Sequence, residues 1–225
     1  MLWKLFRKFS GRQRAKRGQL FLDSFRITEK TRILDLGGGT GGHIASILKG
    51  PADVTVADIS ESDLAQAAER GYRTVQLQGD EDVMPFADDT FDIVFCSSVI
   101  EHVTGPKDEM RWMTDDRRFN DSADRYQGQF AAELRRIARG YFVQTPYKYF
   151  IVESHSWLPV FIVMMPRWMM VPTIRFTNRF WPKGTRPDFR LFTRRQMRGA
   201  FPDASEIASE RVLGMTKSLI AIKRP

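Results

Sequence analysis

Residues 33–42 read Ile-Leu-Asp-Leu-Gly-Gly-Gly-Thr-Gly-Gly. A short apolar run carries one acid, and a glycine-rich turn follows at once. His43 to Lys49 then places apolar residues at helical spacing and stops at Gly50-Pro51. Strand, tight turn and helix in this order predict the first unit of a doubly wound α/β domain. Glycines let a backbone approach a ligand closely and take positive φ at no steric cost. The start of the helix presents N–H groups that have no partner within the helix. The glycines fit two templates. Gly37, Gly39 and Gly42 satisfy the dinucleotide pattern G-x-G-x-x-G. Asp35, Gly37, Gly39 and Gly41 satisfy D-x-G-x-G-x-G. The glycines alone do not separate the two.

Working outward, the strand and helix periods alternate. Strands are expected at 53–58, 74–78, 90–96 and 140–145, helices at 61–70 and 127–138, and two closing strands at 206–213 and 219–223. This predicts a Rossmann-like, seven-stranded, mostly parallel sheet with helices on both faces and a C-terminal antiparallel hairpin. Residues 1–30 read as a basic leader with a helix at 19–25. Residues 31–225 read as one domain, with 146–190 an irregular insertion that covers the substrate.

The chain has 225 residues, 42% hydrophobic and 28% charged, which suits a globular domain with an elaboration. A single cysteine, Cys96, excludes an internal disulfide and a cysteine-rich zinc site. The three histidines have no metal-ligand spacing, so no metal is expected. Cytoplasmic residence is the expectation.

The net charge of +8 is unevenly placed. Residues 1–18 carry seven cations and no acid; residues 167–198 carry nine cations against Asp188 alone. Such polarity points to an anionic partner: a phospholipid surface, a phosphorylated substrate or nucleic acid. Leu2, Trp3, Leu5, Phe6 and Phe9 alternate with Lys4, Arg7 and Lys8, a pattern suited to peripheral docking at the inner face of a membrane. Residues 156–172 are strongly apolar but interrupted by Pro159, Pro166, Arg167 and Pro172. They read as a membrane-facing or substrate-covering flap rather than a span.

Ligands of open α/β sheets bind beyond the carboxyl ends of the strands. There the sequence places Asp35 and the glycines, then Asp58, then Gly79-Asp80, then Cys96-Ser-Ser-Val-Ile-Glu-His102. With these motifs in order, residues 30–146 resemble a class I S-adenosylmethionine-dependent methyltransferase of the small-molecule type. A nicotinamide dehydrogenase would account for only the first two motifs. The resemblance implies that the turn Gly37, Gly39, Gly41 passes under the methionine moiety and that Asp35 supports the turn and the cofactor's amino group. It implies that Asp58, with Ile59, holds the ribose diol, and that Gly79, Asp80 and Glu81 face the adenine. Ser97 would stand beside the sulfonium.

The cofactor carries the activated methyl group, so the protein must align an acceptor and exclude water. An oxygen acceptor also needs a base. His102 follows the fourth strand; Glu153 and His155 stand two apart in the insertion. These three are the candidate catalytic residues. The acceptor expected is a small molecule, saccharide- or lipid-linked and phosphate-bearing. It is favoured over nucleic acid because no nucleic-acid module accompanies the arginines. The alternatives are an RNA methyltransferase and a non-catalytic cofactor-binding subunit at a membrane. The sequence leaves the oligomeric state unknown.

Overall fold

A computed structural model describes residues 2–79, 83–152 and 157–225, with residues 2–10 and 12 described by their backbone alone. Seven helices occur among the described residues: α1 (Leu2–Ser24), α2 (Gly42–Ile47), α3 (Glu61–Glu69), α4 (Lys107–Met110), α5 (Asp116–Ile137), α6 (Arg167–Thr177) and α7 (Arg194–Ala200). Seven strands, β1 (Arg32–Leu36), β2 (Asp53–Asp58), β3 (Arg73–Gln76), β4 (Phe91–Ser97), β5 (Ala138–Pro146), β6 (Glu206–Val212) and β7 (Met215–Lys223), form one sheet in the order β3-β2-β1-β4-β5-β7-β6.

The interior strands β1, β2 and β4 are buried along almost their whole length, and β1 pairs parallel with both neighbours. Parallel strands covered on both faces read as continuous apolar runs, which is why they were legible. β3 is an exposed edge. The closing pair turns at Leu213 (φ 49) and Gly214 (φ 80). Two left-handed residues make the tight hairpin whose twist matches antiparallel strands. The Tyr147 N–H donates to the Lys217 carbonyl, and Gly140 lies against the Lys223 carbonyl. That descending register makes β7 antiparallel to β5 as well.

The chain divides into two compact units: residues 1–97, 135–143 and 222–225, and residues 98–134 and 144–221. In the first, α1 extends well beyond the helix expected at 19–25, and its carboxyl half belongs to the core. Phe21 is fully buried, its ring edge-on to Phe95 at 5.1 Å and to Phe142 at 5.4 Å. Gly18 lies so close to Ile47 of α2 that a Cβ would come within 2.9 Å of it. The apolar N-terminal side chains from Leu2 to Phe9 lie outside the described residues.

In the second unit two expectations are corrected. The helix expected at 127–138 begins at Asp116, because the stripe Phe119, Ala123, Gln127, Ala131, Leu134 continues the buried face four residues at a time. The polar residues between them hid its first half. The insertion expected to be irregular holds a 3-10 turn at Val160–Met164 and then α6. Arg167 fastens that segment. Its N–H donates to Asp116, its guanidinium to the carbonyls of Met113, Met110 and Pro187, and it stacks over Phe119 at 3.5 Å. Burial pulls its pKa down to about 10 against the charges of Asp116 and Asp188, so it stays charged at neutral pH.

If α1 contributes to the first unit's core, Phe21→Ala removes about 3–5 kcal/mol in urea denaturation, the range for a buried aromatic. A loss under about 1 kcal/mol would mean that α1 is peripheral.

Candidate functional site

Asp35, the glycine turn, Asp58, Ile59, Gly79 and Ser97 all lie in the first unit, at or just past the carboxyl ends of β1 to β4. Asp80, Glu81, Glu153 and His155 lie outside the described residues. The turn resolves the two glycine templates. Gly37, Gly39 and Gly41 adopt positive φ of 68, 54 and 69 degrees, whereas Gly42 does not. A side chain is tolerated poorly at such φ. At Gly41 there is also no room, since a Cβ would come within 2.7 Å of the Tyr72 ring. The pattern in force is therefore the one that begins at Asp35.

The turn is held from β2. Asp58 accepts from the Gly39 N–H at 2.8 Å with one oxygen and from the Ser60 N–H at 3.0 Å with the other. A carboxylate oxygen can accept more than one donor, so these bonds leave capacity for ligand hydroxyls. Arg70 donates to the Thr40 carbonyl at 3.0 Å and closes the turn's far side. Ile59 is 54% exposed and packs towards Gly79, where a Cβ would meet it at 3.1 Å. An exposed apolar side chain beside a glycine with φ 86 forms a flat shelf between the ends of β2 and β3.

Asp35 is 2% exposed, and its Oδ2 is buried without a hydrogen-bond partner. Burial, and then the charge of Asp58, push its pKa up to about 7. An unsatisfied buried acid costs stability and needs a stated reason. Here the reason fits a cationic ligand group placed over the glycine turn.

Sequence reasoning missed Arg17. It reaches from α1 to the end of β4, is 9% exposed, and its Nη1 donates to Ser97 Oγ at 2.8 Å. Asp35 stands opposite Phe95 and Leu36 opposite Cys96, so Ser97 is one step further along, beside the start of the turn. In a run of seven cations nothing singled Arg17 out. His43 packs its ring edge-on to Phe95 at 5.3 Å, and its pKa falls to about 4 through burial and the charges of Arg17 and Arg14. It is a neutral packing residue.

The second unit holds His102. Its Nδ1 lies 3.8 Å from Asp188 Oδ1, and Lys107 approaches the other oxygen at 3.9 Å. Burial opposes ionisation of Asp188, yet His102 and Lys107 outweigh it and hold the carboxyl below its usual range. The pair lines an open cavity of about 530 Å³ with Trp112, Asn178, Lys183 and Arg186. Glu101, fully buried, accepts from the Thr145 hydroxyl at 2.9 Å. Asp188 was also missed, although a single acid within a run of nine cations was signal enough. Several of those cations work internally: Arg190 pairs with Asp124, Arg194 donates to the Ile207 carbonyl, and Arg175 stacks on Trp112.

Residues 34–115 match the family described as a methyltransferase domain. A ubiquinone/menaquinone biosynthesis C-methyltransferase of Roseobacter denitrificans is 34% identical over 87 residues, 35% of this chain and 35% of its own. A malonyl-[acyl-carrier protein] O-methyltransferase of Erwinia pyrifoliae is 32% identical over 110 residues, 43% and 42% of the two chains. The matched segments thus span well under half the length of these curated relatives. A SAM-dependent methyltransferase from Methanosarcina mazei shares the fold at TM-score 0.58 and 11% identity, over 91% of this chain and 97% of that one.

Because the folded state holds a proton on Asp35 up to pH 7 and the unfolded chain only to about 4, stability falls as pH rises through that window. Asp35→Asn, which cannot ionise, should therefore stabilise the ligand-free protein at pH 8 by on the order of 1–4 kcal/mol and change it little near pH 4. Denaturation of both proteins at the two pH values checks this; equal destabilisation at both would contradict it.

Proposed function

We propose that this chain, which carries a class I S-adenosylmethionine-dependent methyltransferase domain over residues 34–115, transfers the methyl group to an oxygen of a small acceptor that bears an anionic group. The observation that carries the cofactor assignment is the buried, unpartnered Asp35 oxygen above three positive-φ glycines.

The residues present fit the cofactor. Asp35 would face its ammonium group, Asp58 its ribose hydroxyls, and the shelf of Ile59 and Gly79 its adenine. Arg17, a buried cation at the end of β4, would face its carboxylate. Opposite charges for the two ends of an amino acid orient it as well as bind it. The cofactor supplies an activated methyl group, so the protein's tasks are alignment, exclusion of water and acceptance of one proton.

The proton would go to His102. Nδ1 is the ring nitrogen nearer Asp188, at 3.8 Å, which leaves Nε2 as the atom to take the proton. Lys183 and Arg186 in the same cavity supply positive charge for a phosphate or carboxylate on the acceptor, and Trp112 an apolar wall. The curated relatives named above include one C- and one O-methyltransferase. They match less than half of this chain, so the choice of oxygen rests on the His102–Asp188 pair.

The reading is tested by calorimetric titration with S-adenosylmethionine and separately with NADH. Saturable binding of the first alone is expected; binding of NADH alone would overturn it. Two variants then divide the roles. His102→Ala is expected to lower kcat about 10²- to 10⁴-fold with cofactor affinity unchanged, and unaltered turnover would remove His102 as the base. Arg17→Met is expected to weaken S-adenosylmethionine but leave its decarboxylated analogue at wild-type affinity. An equal loss for both would make Arg17 a tie between α1 and β4 rather than a carboxylate ligand.

A further inference from the structure

α6 carries apolar side chains on two opposite faces, with Thr173 and Arg175 between them. Met170, Val171 and Ile174 face inwards and are buried, packed with Ile162 and Leu158. The opposite face carries Trp168 at 63% exposure, Met169, Pro172 and Phe176 at 60%. The 3-10 turn before it adds exposed Phe161 and Met164; the residues after it add exposed Phe180 and Trp181. A surface helix normally turns a polar face to water; the outward face of α6 is apolar instead. Clusters of exposed apolar side chains of this kind mark docking surfaces.

The charge around the patch selects the occupant. Residues 157–187 contain no acid, and the exposed cations Arg175 and Arg179 lie in α6 and just past its end. A stripe of Trp, Phe and Met rimmed by cations is the chemistry of a helix lying in the headgroup region of an anionic bilayer. Met164, Met169 and Pro172 interrupt the aromatics with side chains on which bases do not stack, and this favours lipid over single-stranded nucleic acid. The cofactor residues take no part.

We propose that the segment from Phe161 to Trp181, with α6 at its centre, docks on the surface of an anionic phospholipid membrane. Its aromatic and methionine side chains enter the interface, and Arg179 with its neighbours engages the headgroups. No described helix is long and apolar enough to cross a membrane; this mode lies in the interface and needs none.

The test is sedimentation of the full chain with vesicles of phosphatidylcholine alone and of phosphatidylcholine with phosphatidylglycerol, at low and high salt. The expected result is binding to the anionic vesicles that weakens with salt. The double variant Trp168→Ser, Phe176→Ser should lower partitioning on the order of tenfold or more. Arg179→Gln should lower binding to anionic vesicles only. Unchanged thermal unfolding and S-adenosylmethionine binding would show that the variants fold. Absence of wild-type binding to either vesicle overturns the proposal. So does full binding by the folded double variant, which would move the contact to another surface such as residues 2–9. Loss of poly(U) binding in the double variant, with vesicle binding intact, would assign the patch to nucleic acid instead.

Discussion

Asp35 is an acid taken out of water at the one point where the chain turns on three left-handed glycines, and one of its oxygens meets no donor. The neighbouring Asp58 is engaged by the Gly39 and Ser60 N–H groups, which fix the turn to β2 but place a second negative charge near the first. Those two facts constrain the rest of the first unit. The glycines cannot be replaced, because the Tyr72 ring and the Asp35 carboxyl occupy the space that side chains would need at Gly41 and Gly38. The desolvated acid is held in place because β1, β2 and β4 are buried over almost their whole length and leave the backbone little freedom to relax. An acid kept half-protonated near neutral pH is unfavourable to folding and well suited to a ligand that brings its own positive charge.

The sheet was legible because its interior strands are short apolar runs bounded by acids and glycines, and because Asp35, Asp58 and Ser97 fall at the ends of those runs. What was not legible came from side chains that act at long sequence separation. Arg17 bonds Ser97 across 80 residues. Arg167 looks like one more surface cation, yet it is 3% exposed and ties α6 to the carbonyls of Met110, Met113 and Pro187. Asp188 pairs with a histidine 86 positions earlier. The first half of α5 was hidden because its buried face shows only Phe119 and Ala123 among polar residues. Local pattern reports local structure; a charge does not announce whether its partner is water or a distant carbonyl.

The two units carry different kinds of information. Residues 34–115 match the methyltransferase-domain family, and the curated relatives that match 87 and 110 residues include both a C- and an O-methyltransferase. The second unit holds the insertion, its buried arginine, the His102–Asp188 pair and the exposed face of α6. Much of its substance lies beyond residues 34–115, so its chemistry has to be read from its own side chains. Lys183 and Arg186 beside Trp112 would suit the proposed acceptor with an anionic and an apolar part, and the outer face of α6 would suit the proposed surface with the same two properties.

The most direct test of the central claim is the affinity for S-adenosylmethionine, measured by calorimetry across pH 6 to 8 for the wild type and for Asp35→Asn. A carboxyl with a pKa of about 7 must lose its proton to pair with the ligand's ammonium. Wild-type affinity should therefore rise with pH, by up to about tenfold per unit below the pKa, and then level off. Asp35→Asn should bind more weakly and lack that rise. The ligand's own α-amine, ordinarily titrating at about pH 8, stays mostly protonated below pH 7, so the rise is read between pH 6 and 7. Wild-type affinity that does not change over this range, or an Asn variant that binds as tightly as the wild type at pH 8, would contradict the account.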